Sequence, residues 1–233
     1  MTTFYMAVIG VCAIATCVIL RPYTKSGYPQ KNKHSLLLKM IMSTLFIVIA
    51  VMAALISGQV TRFTVLMFCG FGFSWIGDFI LGKGSVTKIF VTGAASFLVA
   101  HIFFIAAMIS AENAPPFFDA VSVTVFIVSL AFGAVLCLVK KGNFRKLLPA
   151  MTVYFAMLSL MFAKACSLGV SRLPETPGAM LMPIGALLFV CSDVTLGMMY
   201  FNMHKRSYRF QAFSTTAYFM GQMLAATSMM FIY

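Results

Sequence analysis

Two aspartates occupy matching phrases 115 residues apart. Asp78 stands in Gly70-Phe-Gly-Phe-Ser-Trp-Ile-Gly-Asp78-Phe-Ile-Leu-Gly82, and Asp193 in Gly185-Ala-Leu-Leu-Phe-Val-Cys-Ser-Asp193-Val-Thr-Leu-Gly197. Gly70, Asp78, Leu81 and Gly82 fall on Gly185, Asp193, Leu196 and Gly197 without a gap. Both phrases lie in long apolar runs, where a carboxylate costs about 2.5–3.5 kcal/mol on insertion scales. The chain has only five acidic residues, so placing two of them this way points to a polar interior site. Two neighbouring carboxylates in a low dielectric do not both ionise cheaply, and one tends to keep a proton. Such a pair suits general acid–base chemistry. It suits proton-coupled transport equally well.

Other polar residues gather around the same offset. Lys39 corresponds to Tyr154. After a further slip of six residues, Phe97-Leu-Val-Ala-His101-Ile corresponds to Tyr218-Phe-Met-Gly-Gln222-Met. At 1.5 Å per residue, Asp78 lies about 6 Å and Asp193 about 12 Å from the same ends of their spans; Tyr154 and Tyr218 are about 12 Å in, Gln222 about 18 Å and His101 about 20 Å. Tyrosines at that depth lie beyond the interfacial aromatic belt and need partners for their hydroxyls. Ser74 precedes Asp78 by one helical turn, whereas Ser192 is adjacent to Asp193 and points about 100° away. The plainer alternatives are hydrogen bonds between helices for the serines, His101 and the tyrosines, and snorkelling to the interface for Lys39.

These residues need helices to hold them. Hydrophobic residues make up 61% of the 233 positions and charged residues 9%, against about 25% charged in water-soluble domains. Eight runs approach the length needed to cross about 30 Å of hydrocarbon: residues 4–20, 36–57, 63–82, 87–110, 119–139, 146–168, 180–201 and 210–232. The runs are continuous rather than alternating, which favours helices over a barrel. The expected fold is all-α: one polytopic transmembrane domain over 1–233, built from two parallel four-helix repeats at about 1–112 and 113–233. Span one is followed by Arg21-Pro22 rather than a small-residue cleavage site and has no basic region before it, so it is not read as a cleaved signal. The six cysteines, at 12, 17, 69, 137, 166 and 191, lack metal-type spacing and read as packing residues.

The net charge of +12 is not a nucleic-acid signature once placed on this topology. Fourteen of the seventeen basic residues lie in, or flank, the connections after spans one, three, five and seven. The positive-inside rule puts those connections in the cytoplasm and both termini outside, and anionic lipid headgroups account for the basic loops. The loops are short and carry no nucleic-acid-binding fold. No Gly-x-Ser-x-Gly elbow, His-Glu-x-x-His helix or glycine-rich phosphate loop occurs, which disfavours the serine-hydrolase, zincin and P-loop classes. The three histidines, His34, His101 and His204, are too dispersed for a zinc site, and no metal or cofactor is expected. His34 and His204 read as loop or headgroup residues.

The paired phrases, together with Gly93-Ala-Ala-Ser-Phe-Leu-Val-Ala-His101 and Tyr218-Phe-Met-Gly-Gln222, resemble the YhhN-like membrane family, which includes animal lysoplasmalogenases. The resemblance runs from about residue 30 to the end of the chain. It implies an eight-helix membrane enzyme that hydrolyses the vinyl ether bond of a lysophospholipid, a lysoplasmalogen. The products are a fatty aldehyde and glycerophosphocholine or glycerophosphoethanolamine. Carried over position by position, it marks Asp78, His101, Tyr154, Asp193, Tyr218 and Gln222. Lys39 takes the place of a lysine usually followed by proline, but Met40 follows it here. The expected chemistry has Asp193 as acid and Asp78 as carboxylate. His101, Tyr154, Tyr218, Gln222, Ser74 and Ser192 orient water or substrate, and Lys39 attracts the headgroup. A proton-coupled transporter or flippase of a lipid-like amphiphile is the competing reading, and a protein whose polar pairs only tie helices together is a third.

Overall fold

The computed structural model describes residues 1–26, 32–84, 86–140, 147–201 and 207–232, without the side chain of Lys140. Lys31, Lys140, Lys141, Arg145, Lys146, His204, Lys205 and Arg206, which contribute to the basic connections and the dispersed histidines, therefore lie wholly or in their side chains outside the described residues. Among the described residues eight long helices follow in order: α1 Thr2–Ser26, α2 Lys33–Ser57, α3 Arg62–Gly82, α4 Thr87–Ser110, α5 Ala120–Lys140, α6 Leu148–Arg172, α7 Leu181–Tyr200 and α8 Tyr208–Ser228. A 3-10 turn, Pro177–Met180, leads into α7.

Helix starts follow local chemistry. The Asn32 side chain accepts from Ser35 N at 2.7 Å while Ser35 Oγ accepts from Asn32 N at 3.0 Å, a reciprocal cap that satisfies two otherwise orphaned donors. Thr61 and Thr64 repeat the arrangement at α3, and Ser207 caps α8. Gly58 closes α2 with φ of +67°, a conformation that costs glycine little. From its sequence, span one is expected to end at residue 20. Instead α1 continues through Pro22 to Ser26, which is possible because a proline in the last turns removes only one hydrogen bond near a free end. In the other direction, α8 stops at Ser228 rather than at 232.

Seven of the eight helices are long and apolar enough to cross a bilayer. The eighth, α8, carries Arg209, Gln211, Ser214, Thr215, Thr216 and Gln222, and polar residues dilute its hydropathy. The burial pattern is that of a membrane protein. Val11, Ile14 and Val18 of α1 and Val128, Phe132 and Val135 of α5 point outward, while Lys39, Ser43, Ser74, Asp78, His101, Lys164 and Gln222 are buried. In water this distribution would be inverted. The chain is an all-α polytopic membrane protein.

Packing is closest within α3–α4 and α7–α8. A Cβ on Gly221 would come 2.7 Å from the Gly185 carbonyl, and one on Gly185 would come 2.7 Å from that of Gly221. The α7 and α8 backbones therefore meet where neither has a side chain, as small residues allow in membranes. The α3–α4 seam uses glycine against a large side chain instead: Gly70 faces Phe104, Gly77 faces Phe97 and Gly93 faces Leu81. The remaining helix contacts are α1–α2, α5–α6, α2–α3, α6–α7, α2–α8, α4–α6 and α1–α8. At the end of the bundle holding the α4–α5 connection, Lys164 donates to the carbonyls of Pro116 and Phe117 at 3.1 and 3.4 Å, and Ser167 to Asp119 Oδ1 at 2.7 Å. These contacts pin the start of α5 to α6.

Candidate active site

Asp78 sits on α3 facing two consecutive turns of α2. Lys39 Nζ lies 2.9 Å from Asp78 Oδ1. The contact is a buried ion pair. Ser43 Oγ lies 2.6 Å from Asp78 Oδ2 and 3.0 Å from the Lys39 carbonyl. It has one proton, and the shorter contact to the carboxylate takes it. From α8, Tyr218 donates its hydroxyl proton to Asp78 Oδ2 at 2.7 Å, and Gln222 Nε2 lies 3.4 Å from the same hydroxyl. The carboxylate is thus held by one cation and two hydroxyl donors, and its side chain is only 1% exposed.

Asp193, on α7, is held differently. Tyr154 of α6 donates to its Oδ2. His101 of α4 has Nε2 at 3.4 Å from the Tyr154 hydroxyl and 3.9 Å from Asp193 Oδ2. The longer distance is outside hydrogen-bond range. Because Tyr154 has already given its single proton to Asp193, the proton of the His101–Tyr154 contact belongs on Nε2. No lysine or arginine ion pair to Asp193 occurs among the described residues, and its side chain is 13% exposed. Two donor chains result: Gln222 to Tyr218 to Asp78, and His101 to Tyr154 to Asp193.

Between the chains, Phe97, Phe189 and Tyr218 meet edge to face, with centroids 5.4–6.0 Å apart. Such contacts favour fixed ring orientations. A cavity of about 720 Å³ opens beside this cluster and is lined by Asp78, Asp193, Lys39, Tyr154, Tyr218 and Ser192. Its walls come from the halves of the helices, or their midpoints, next to the α1–α2, α3–α4, α5–α6 and α7–α8 connections.

The structure therefore brings five polar candidates of the sequence reading onto one cavity with direct contacts among them: Asp78, Asp193, Lys39, Tyr154 and Tyr218. Ser192 reaches the wall but pairs with Ser214, at 3.4 Å between hydroxyls, rather than with Asp193. His101 and Gln222 stand behind the tyrosines and do not line the cavity. Ser74 is fully buried away from it, its hydroxyl without a partner among the described residues. Lys39 is turned to Asp78 instead of projecting as a free headgroup contact. His34 starts α2 rather than lying in a loop, and His204 lies outside the described residues. Two neighbours went unread in the sequence. Ser43 carried a signal, since it follows Lys39 by one helical turn. Tyr23, buried and lining the cavity, was hidden because span one was expected to stop before it.

The family model that describes the YhhN family matches residues 34–229. The chain belongs to the YhhN family. Membership is consistent with a lipid-acting enzyme. The matched stretch of this YhhN protein contains every site residue named above except Tyr23, which α1 contributes from outside it. No curated protein and no solved structure matches the chain significantly.

Proposed function

We propose that this YhhN protein hydrolyses the vinyl ether bond of lysoplasmalogens, releasing a fatty aldehyde and a glycerophosphodiester. The observation that carries the reading is the unequal setting of two carboxylates on one cavity. Asp78 is compensated by Lys39 at Oδ1 and accepts from two hydroxyls at Oδ2. Asp193 has one donor, no lysine or arginine partner among the described residues, and access to the cavity. Unequal environments are what separate an acid from a permanent carboxylate in one site.

In this reading Asp193 carries the proton. It protonates the β-carbon of the enol ether, and the double-bond electrons form that C–H bond as the ether oxygen shares a lone pair to give an oxocarbenium ion. Water adds to the carbon bonded to oxygen, and the Asp193 carboxylate takes the water's proton, which restores the acid. The hemiacetal then loses its hydroxyl proton and breaks its C–O bond to the glycerol oxygen, which is protonated. The products are aldehyde and alcohol, and one water is consumed. Both Asp78 oxygens are already engaged, so water activation passes to Asp193 and Asp78 contributes fixed charge that holds Lys39 and Tyr218. Tyr154, backed by His101, aims the acid, and the Gln222–Tyr218 chain orients the ether or the attacking water. The reaction as written requires no covalent enzyme intermediate.

The architecture proposed with it has α8 as an eighth span and the two halves as parallel repeats. The paired contacts α2–α8 and α4–α6, α1–α2 and α5–α6, and α3–α4 and α7–α8 support that arrangement. The cavity-bearing end faces the cytoplasm, as the sequence distribution of lysine and arginine favours. Purified Asp78→Asn and Asp193→Asn proteins are expected to stay folded and to lose aldehyde release from a defined lysoplasmalogen in detergent. Normal turnover by either removes the two-carboxylate mechanism. Because detergent leaves no second compartment, any aldehyde formed is chemistry and not transport.

A further inference from the structure

The two halves pair their helices alike except in one place. α1 packs on α8, whereas its counterpart α5 makes no contact with α4 and touches only α6 among the described helices. The residues explain the difference. On α1, Tyr23 and Thr24 are buried, Tyr23 meeting the Phe219 ring edge-on at 6.5 Å and Thr24 Oγ1 lying 3.3 Å from the Tyr208 hydroxyl. Carrying the offset of 115 residues across, those positions become Leu138 and Val139 of α5, which are 77% and 67% exposed. The seal that closes the α1–α8 side has no equivalent on α5.

This unsealed seam leads to the cavity. Phe90, Ala94 and Phe97 of α4 and Gly133, Ala134 and Cys137 of α5 all line it. Ala134 and Cys137 are exposed, so only small side chains stand on α5 at this part of the wall. Beside α4, Phe90 stacks on Tyr200 with centroids 3.6 Å apart and meets Phe201 edge-on at 6.1 Å, spreading aromatic rings across the end of the bundle. The anchoring of α5 is one-sided too. Its start is tied to α6 through Asp119, Pro116 and Phe117. Further along, Gly133 lies against Phe155 of α6, so closely that a Cβ would fall 2.2 Å from the ring.

We propose that the α4–α5 seam is the lateral entrance through which a single hydrocarbon chain passes from the bilayer into the cavity, with α5 pivoting on its pinned start. The occupant is a one-chain amphiphile. The outer surfaces bordering the seam are apolar, including Val91 and Leu138, the route leads to charged groups at Asp78 and Lys39, and about 720 Å³ falls in the usual range for a small ligand, about 300–1,000 Å³. The proposal rests on the cavity being a lipid site, but it does not depend on the vinyl ether chemistry.

The test uses a lysophospholipid with an ester-linked chain and a terminal photoreactive diazirine, presented in vesicles to the full-length protein. Wild type is expected to be labelled on α4 and α5 at the seam and, inside, on α6 and α7. Ala94→Phe/Ala134→Trp is expected to lose inner labelling roughly tenfold and to lose kcat/KM for a vesicle-borne lysoplasmalogen in parallel. Val128→Trp, on the exposed face of α5, should change neither. If the bulky pair does not fold, alkylating Cys137 with a bulky maleimide in folded Cys17→Ser protein gives the same block. Undiminished inner labelling after a verified block overturns the entrance. Seam-dependent labelling without any aldehyde release leaves the entrance standing and overturns the hydrolase.

Discussion

Replacing Lys39 with methionine keeps most of the side-chain volume and removes one charge. Among the described residues Asp78 is then left 1% exposed with no cation, supported by Ser43 and Tyr218. Breaking a buried pair from one side costs about 3–5 kcal/mol, much of it the penalty of the stranded partner. Lys39 keeps 11% exposure, which places the expected loss near the lower end, about 3 kcal/mol. The structure further requires that Asp78→Asn rescue Lys39→Met, because a neutral amide no longer needs the cation. A double-mutant cycle on detergent-solubilised protein, by thermal or chemical unfolding, should yield a coupling of about 2 kcal/mol or more. The kinetic signature follows from the same contact. Because Lys39 acts through Asp78, kcat should fall at least as steeply as KM rises. Additive stabilities, with an effect on KM alone, would refute the ion pair and return Lys39 to the headgroup role read from the sequence.

Other substitutions probe separate contacts. Tyr154→Phe removes the donor to Asp193; a hydrogen bond to a charged or charge-developing group is worth about 1.5–3 kcal/mol, so kcat should drop by about one to two orders of magnitude while thermal stability changes little. Gly221→Ala drives a Cβ into the Gly185 carbonyl at 2.7 Å, and since neither backbone can yield, a clear fall in melting temperature is expected. Gly72→Ala, with nothing within 4 Å of the added Cβ, should be neutral or stabilising by up to about 1 kcal/mol through helix propensity. Lys164→Met strands two carbonyls of the α4–α5 connection and should lower the melting temperature and speed proteolysis at residues 111–119 without abolishing activity.

The helices were legible because the apolar runs are long and the bilayer demands internally satisfied backbones. Residue 20 was a poor stopping point for α1 because the Arg21-Pro22 break is a local signal, and burial of Tyr23 and Thr24 against α8 overrides it. Asp78 and Asp193 were readable as isolated charges in apolar surroundings, and the tyrosines as hydroxyls too deep for the interface. Their partnerships were less so. Tyr218 serves Asp78 and Tyr154 serves Asp193 across helix pairs, and although Gln222 and His101 behind them hold matching positions, the tyrosines come from non-equivalent helices, α8 in one chain and α6 in the other. A sequence offset finds equivalent positions but not which neighbours a crossing brings together. Ser192 shows the same point, its one-residue displacement from Asp193 turning it toward Ser214 on α8.

Carbon protonation by a membrane-buried carboxyl group leaves its record in the product. Wild-type protein in detergent, given a defined lysoplasmalogen in D₂O and a trapping hydrazine, should release aldehyde carrying a single deuterium on the carbon next to the carbonyl, with Asp193→Asn releasing none. Aldehyde without that deuterium would contradict protonation of the enol ether, and lipid binding without any aldehyde would contradict the hydrolase itself.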